Sequence, residues 1–173
     1  PFAADAWSTI RGELEVYASR WETAQTSACR RSNDVDMRER ELGLRQSLCL
    51  AQRKTSLEEV AKTLRMADDA LIERATDAVH RLPDLSVCQD SVGLGAWSPP
   101  DSESQRLELQ DLNTALARAE SALTFYRYEE GAALIGEALE AIKAVGHEPT
   151  LARAHLLYGR IYRRLRQPDK AVE

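Results

Sequence analysis

The sequence predicts an all-α protein: an antiparallel helical hairpin followed by helix-turn-helix repeats of the α-solenoid kind. Three observations carry this. One apolar seam runs through residues 7–28 at helical spacing. Two stretches, Arg127-Tyr128-Glu129-Glu130-Gly131-Ala132 and Gln167-Pro168-Asp169-Lys170-Ala171-Val172, stand 40 residues apart, each following an amphipathic helical pattern. With only 8 Gly and 6 Pro among 173 residues, there is room for long helices and little provision for tight turns. A helix-turn-helix unit repeated near that period builds solenoids, which bind partners and rarely do chemistry.

The seam of the first helix is Trp7, Ile10, Leu14, Tyr17, Trp21, Ala24 and Ala28, in steps of three and four, which predicts a helix from about Asp5 to Arg31. Ser32-Asn33-Asp34-Val35-Asp36 breaks it with turn-forming side chains. Asp36 with Glu39 has the form of a capping box, so a second helix opens at Met37. Leu50, Leu57 and Leu64, beside Val60 and Ala61, carry it to about Met66. Asp68 and Asp69 suit a fresh helix start, since their charges complement the positive end of a helix. Leu71, Ala75, Ala78, Val79 and Leu82 form one face of that third helix, and Pro83 stops it. These elements make up a first region, 1–82.

Residues 83–104 read as a linker, rich in Pro, Gly and Ser and unable to hold a helix, although Leu85, Val87, Leu94 and Trp97 imply that it lies against the body. From Glu103 the helical pattern resumes, with turns at Arg127-Tyr128 and His147-Glu148-Pro149. The region 105–173 is therefore read as repeats, cut at Glu173 just as a further helix opens; together with the start at Pro1, this leads to the expectation that the chain is a piece of something longer.

Composition narrows the function. Hydrophobic residues are 43% and charged residues 29%, which is a globular balance. A net charge of −5 argues against general nucleic-acid affinity, which needs a concentrated basic face. No apolar run approaches the ~20 residues that span a bilayer, so no direct membrane contact is expected of this stretch.

The repeat residues resemble the tetratricopeptide repeat. The later copy offers Gly159, Tyr162 and Ala171, with Pro168 at the interhelical turn. The earlier one offers Ala119, Ala122, Gly131 and Ala138, with Tyr128 at the turn, and departs from the pattern at Ala122, where an aromatic is expected. The resemblance implies close approach of paired helices through Ala119, Gly131, Gly159 and Ala171, with Tyr128, Tyr162 and Pro168 filling the turns and gaps.

The first half is similar to one region of bacterial proteins. Its string is Trp21…Ala28-Cys29, Leu48-Cys49-Leu50, Ala67-Asp68…Glu73-Arg74-Ala75 and Leu82-Pro83…Leu85…Cys88. It resembles the segment that follows the kinase domain in tetratricopeptide-containing bacterial serine/threonine protein kinases of the myxobacterial type. The resemblance implies a non-catalytic regulatory region that binds a protein or peptide, in a parent with an ATP-dependent kinase domain and often a membrane span. A free-standing tetratricopeptide adaptor or co-chaperone is the alternative.

No chemistry of its own is expected. The chain has no Gly-rich phosphate loop, no His-Arg-Asp catalytic loop, no Asp-Phe-Gly and no Walker lysine. His80, His147 and His155 read as a surface residue, a turn residue and a helix-packing residue. None has a second His four residues away, so neither a metal nor another cofactor is expected. Glu58-Glu59 and Asp68-Asp69 read as solvated faces and caps, because adjacent residues do not face each other on a helix.

Cys29 and Cys49 leave two states open. A tight hairpin sets Cys49 about 13 Å beyond the level of Cys29, and the two meet only if the connector runs extended past the first helix. If the parent has a membrane span upstream, this region stands outside the cytoplasm and a Cys29–Cys49 bridge is favoured. Otherwise Cys29, Cys49 and Cys88 are buried thiols in a reducing compartment.

In tetratricopeptide folds the first helix of each repeat lines the concave groove. Here that helix is about Thr150 to Leu165, and Arg153, Arg160 and Arg164 fall on one face within about 20°, with Arg163 beside them. Such a face can clamp an acidic peptide, or it is simply the solvated side of the helix. The matching positions of the preceding repeat are Asn113, Leu116, Glu120 and Thr124.

Overall fold

The computed structural model describes residues 2–66, 69–96, 99–100 and 102–171. Among these the chain is all helical, without a strand. It divides into two compact units, Pro1–Pro99 and Pro100–Glu173. The division falls inside the stretch read as a linker, whose larger part folds with the first unit.

The first unit opens with α1 (Phe2–Ser32) and α2 (Met37–Arg65). The turn between them is set by side chains: Asp34 accepts from the Asp36 amide at 3.0 Å, and Asp36 caps α2 by accepting from the Arg38 amide at 2.8 Å. Glu39 does not complete a capping box but pairs with Arg31 at 2.9 Å. The two helices run antiparallel, since Gly43 meets Ser32, Gln46 meets Arg31 and Leu50 meets Trp21 in descending order. At Gly43 they nearly touch: a Cβ there would stand 2.3 Å from the Ser32 nitrogen, so only glycine permits this approach.

α3 (Asp69–His80) lies against α1 and is tied to it by His80 Nε2 and Glu13 Oε1 at 2.9 Å. Asp68, read as part of its start, lies outside the described residues, as do Ala67, Trp97 and Val172. Beyond Pro83 the chain forms a 3-10 turn, Ser86–Cys88, and a six-residue helix, α4 (Ser91–Ala96). The expectation that 83–104 holds no helix is thus corrected. Its glycines and prolines limit the length of the helix but do not prevent a turn and a half seated on the body. Leu85, Cys88 and Leu94 are buried there, whereas Val87 faces solvent.

The cysteine reading is corrected as well. The bond is Cys49–Cys88, with Cα atoms 5.5 Å apart, and Cys29 is free and exposed. Because the turn at Ser32–Asp36 is tight, Cys29 stays near the level of Gln46 and Cys49 lies further along α2. The 3-10 turn brings Cys88 to Cys49 instead. Around this bond Ala24, Ala28, Leu50 and Leu85 form a cluster, with Tyr17 and Trp21 at its edge. Both aromatics satisfy their polar ends on backbone: Trp21 donates to Leu50 O and Tyr17 to Pro83 O, each at 2.8 Å.

The second unit contains α5 (Glu103–Thr124), α6 (Tyr128–Val145), α7 (Glu148–Arg164) and α8 (Pro168–Ala171). Ser102 caps α5 through the Gln105 amide. Leu116, Ala119, Ile135, Ala138, Leu139, Ile142, Ala154, Leu157 and Ile161 make one buried cluster from three helices. Gly146, in the left-handed conformation at φ 69°, ends α6. His147 is buried and holds Thr150 Oγ1 at 2.8 Å, fixing the start of α7. His155, read as a packing residue, is exposed, because Ala154, Leu157 and Ile161 define the buried side of α7.

Candidate functional site

The turns that follow α5 and α7 have the same local construction. Tyr126 and Arg166, 40 residues apart, are the non-glycine residues with positive φ among those described, at 63° and 57°. In the first turn, Tyr126 N–H bonds Leu123 O and Arg127 N–H bonds Ala122 O. In the second, Arg166 N–H bonds Arg163 O and Gln167 N–H bonds Tyr162 O. Each set is a Schellman motif, and in both the left-handed position is filled without glycine.

The residues read as repeat packing lie on α5, α6, α7 and α8. Ala119 is fully buried and Gly131 is buried, where α5, α6 and α7 converge. A Cβ on Gly131 would lie 3.3 Å from Ile161 Cδ1 and 3.5 Å from Ala119 O. Tyr128 is the first residue of α6, half-buried, with its ring 5.9 Å from that of Tyr126. Gly159 and Tyr162 are half-buried on α7. Tyr162 lies 4.3 Å from Tyr158 between ring centroids, and Lys170 Nζ stands 5.6 Å from its ring, a cation–π distance. Pro168 and Ala171 begin and end α8.

The four candidate arginines divide into two kinds. Arg153 is half-buried and committed. Its Nε and Nη2 donate to Glu120 Oε1 and Oε2 at 3.2 and 2.8 Å, and its Nη1 donates to Asn113 Oδ1 at 3.2 Å. This fork is a bidentate pair that spans α5 and α7. Arg160, Arg163 and Arg164 are exposed and have no ion pair or hydrogen bond to a described side chain. Glu120 and Asn113, read from the sequence as partner-facing positions, are therefore partners of Arg153. Leu116, read as a groove position, is fully buried in the core. Thr124 donates its hydroxyl to Glu120 O at 2.9 Å.

Two perturbed groups of the first unit, Tyr17 and Asp84, lie where α1 meets the chain beyond Pro83. Burial pushes the Tyr17 hydroxyl up to about 12, and hydrogen bonds from the Ser86 side chain and amide hold Asp84 below its usual value. Tyr17 is bonded to a carbonyl, and Asp84 opens the 3-10 turn, so both perturbations belong to the fold. Among the described residues no group of three His, Cys, Asp or Glu can hold a metal ion, and no helix is long and apolar enough to cross a membrane. No family model, curated protein or solved structure matches the chain.

Proposed function

We propose that this chain is a non-catalytic, protein-binding region of a bacterial serine/threonine protein kinase, and that its second unit begins a tetratricopeptide-like array that binds an acidic peptide. The observation that carries the array is the duplicated turn: the same hydrogen bonds and the same left-handed residue recur at Tyr126 and Arg166, 40 residues apart. Identical turns give successive helix pairs the same local exit, which is how a solenoid propagates.

The acidic peptide follows from charge. Glu120 neutralises Arg153 and holds α7 beside α5, which leaves Arg160, Arg163 and Arg164 as uncommitted donors on the exposed side of α7. The planar guanidinium fork matches the two oxygens of a carboxylate, the anionic group that an unmodified peptide carries on its Asp and Glu side chains. The kinase parentage rests on the ordered string from Trp21 to Cys88 set out above. Selection of a random peptide library on the whole chain tests the reading. Enrichment of Asp- and Glu-rich sequences is expected, and failure to enrich acidic peptides overturns it. The chain alone is expected to transfer no phosphate from Mg-ATP to a protein substrate.

A further inference from the structure

The Cys49–Cys88 bond joins two parts of the first unit that are held in unequal ways. α1 and α2 are long helices, tied by Trp21 to Leu50 O, by Arg31 to Gln46 and Glu39, and by the close contact at Gly43. Residues 83–96 have much less. Among their described side chains, Leu85, Cys88 and Leu94 are the buried apolar ones. Arg45 donates to Leu94 O and Gly95 O at 2.9 and 3.0 Å, covering the open end of α4, and Tyr17 donates to Pro83 O. α4 has only six residues, two of them glycine, too few to be stable as a helix by itself.

We propose that Cys49–Cys88 is a redox-sensitive latch: oxidised, it seats residues 83–96 on α2, and reduction by a dithiol releases that segment while the α1–α2 hairpin stays folded. This is independent of the peptide-binding reading of the second unit. Cys49 is half-buried and Cys88 fully buried, so an incoming thiolate reaches the Cys49 sulfur. That attack forms a mixed disulfide with Cys49, breaks the Cys49–Cys88 bond and expels Cys88 as a thiolate. The reductant's second thiol then attacks the mixed disulfide, leaving the reductant as a cyclic disulfide and Cys49 as a thiolate, which takes a proton. Two electrons pass from the dithiol to the protein.

The leaving thiolate appears among Ala24, Ala28, Leu50 and Leu85, where a charge is poorly accommodated. It gains a proton, or it gains solvent by carrying the segment outward. The bond ties residues 39 apart in the chain, and its opening lets residues 83–96 regain the conformational freedom that seating on α2 withholds. The released segment also forms one wall of a groove of about 580 Å³, setting Asp84, Ser86 and Gln89 opposite Tyr17 and Arg20 of α1 and His80 of α3. Reduction therefore removes a surface as well as a bond.

Alkylation and hydrogen exchange on the whole chain, with and without dithiothreitol, test the latch. Before reduction only Cys29 is expected to alkylate, and afterwards all three cysteines. Amides of 85–95 should then exchange at least about a hundredfold faster, while those around Trp21 and Leu50 change by less than about twofold. Cys88→Ala should show the fast pattern with or without the dithiol. Three alkylated cysteines before reduction would overturn the proposal. So would unchanged exchange at 85–95, or equal loosening of α1 and α2, which would make the bond a staple of the whole unit.

Discussion

Tyr126 and Arg166 hold the same left-handed backbone at the same step of the exits from α5 and α7, and neither is glycine. A left-handed L-residue costs about 1–2 kcal/mol, most for a β-branched side chain. Tyr126→Gly is therefore expected to be more stable than Tyr126→Val by about 1–2 kcal/mol in urea unfolding, both having lost the tyrosine ring. The same order, with a smaller gap, is expected at Arg166. Equal stability of the two Tyr126 variants would mean that the turn is not held left-handed.

Two glycines of the first unit separate necessity from chance. Gly43→Ala drives a methyl into the Ser32 backbone and should cost about 2–3 kcal/mol. Gly12 is exposed in α1, and a methyl added there would meet no atom within 4 Å, so Gly12→Ala should stabilise by about 0.5–1 kcal/mol. Thermal unfolding of both variants checks the contrast in sign.

Tyr17 gives the fold an alkaline edge. Its hydroxyl is raised from 10.0 to about 12 in the folded chain, chiefly by burial. The unfolded chain therefore loses this proton first, and stability falls as pH rises from about 10 to about 12, with the contribution intact below about 10. In Tyr17→Phe that part of the decline should vanish, as read by urea midpoints across this window.

Arg153 and Glu120 form a partly buried fork between α5 and α7. A double-mutant cycle with Arg153→Ala and Glu120→Ala should return a coupling of about 1 kcal/mol, above the usual surface pair because two parallel hydrogen bonds hold it. A coupling near zero would mean that the Arg153–Glu120 fork does not help to join the two helices.

Much of the fold was legible because helix seams are local. The spacing of Trp7 to Ala28 gave α1, Asp36 gave the start of α2, and the Arg127-Tyr128 and His147 turns lie where α6 and α7 begin. What was not legible depended on chain segments meeting at a distance. Cys88 sits in a stretch whose prolines and glycines read as a linker, so its partnership with Cys49 required a 3-10 turn that no periodicity announces. Gly43 shows its purpose only against the Ser32 backbone. At the candidate site, the arginine face was visible as i, i+7 and i+11 spacing. The capture of Arg153 by Glu120 was not, because the two stand on different helices. The paired left-handed residues did have a signal: comparing the two turns at the 40-residue offset aligns Tyr126 with Arg166.

The most direct measurement is the affinity of an acidic peptide, obtained by selection on the whole chain, for the wild type and for the double variant Arg160→Glu, Arg164→Glu. Both side chains are exposed, so the variant should fold as the wild type does. Micromolar binding that weakens with added salt and falls at least about tenfold in the variant is expected. Binding unchanged by the two substitutions would contradict the acidic-peptide reading.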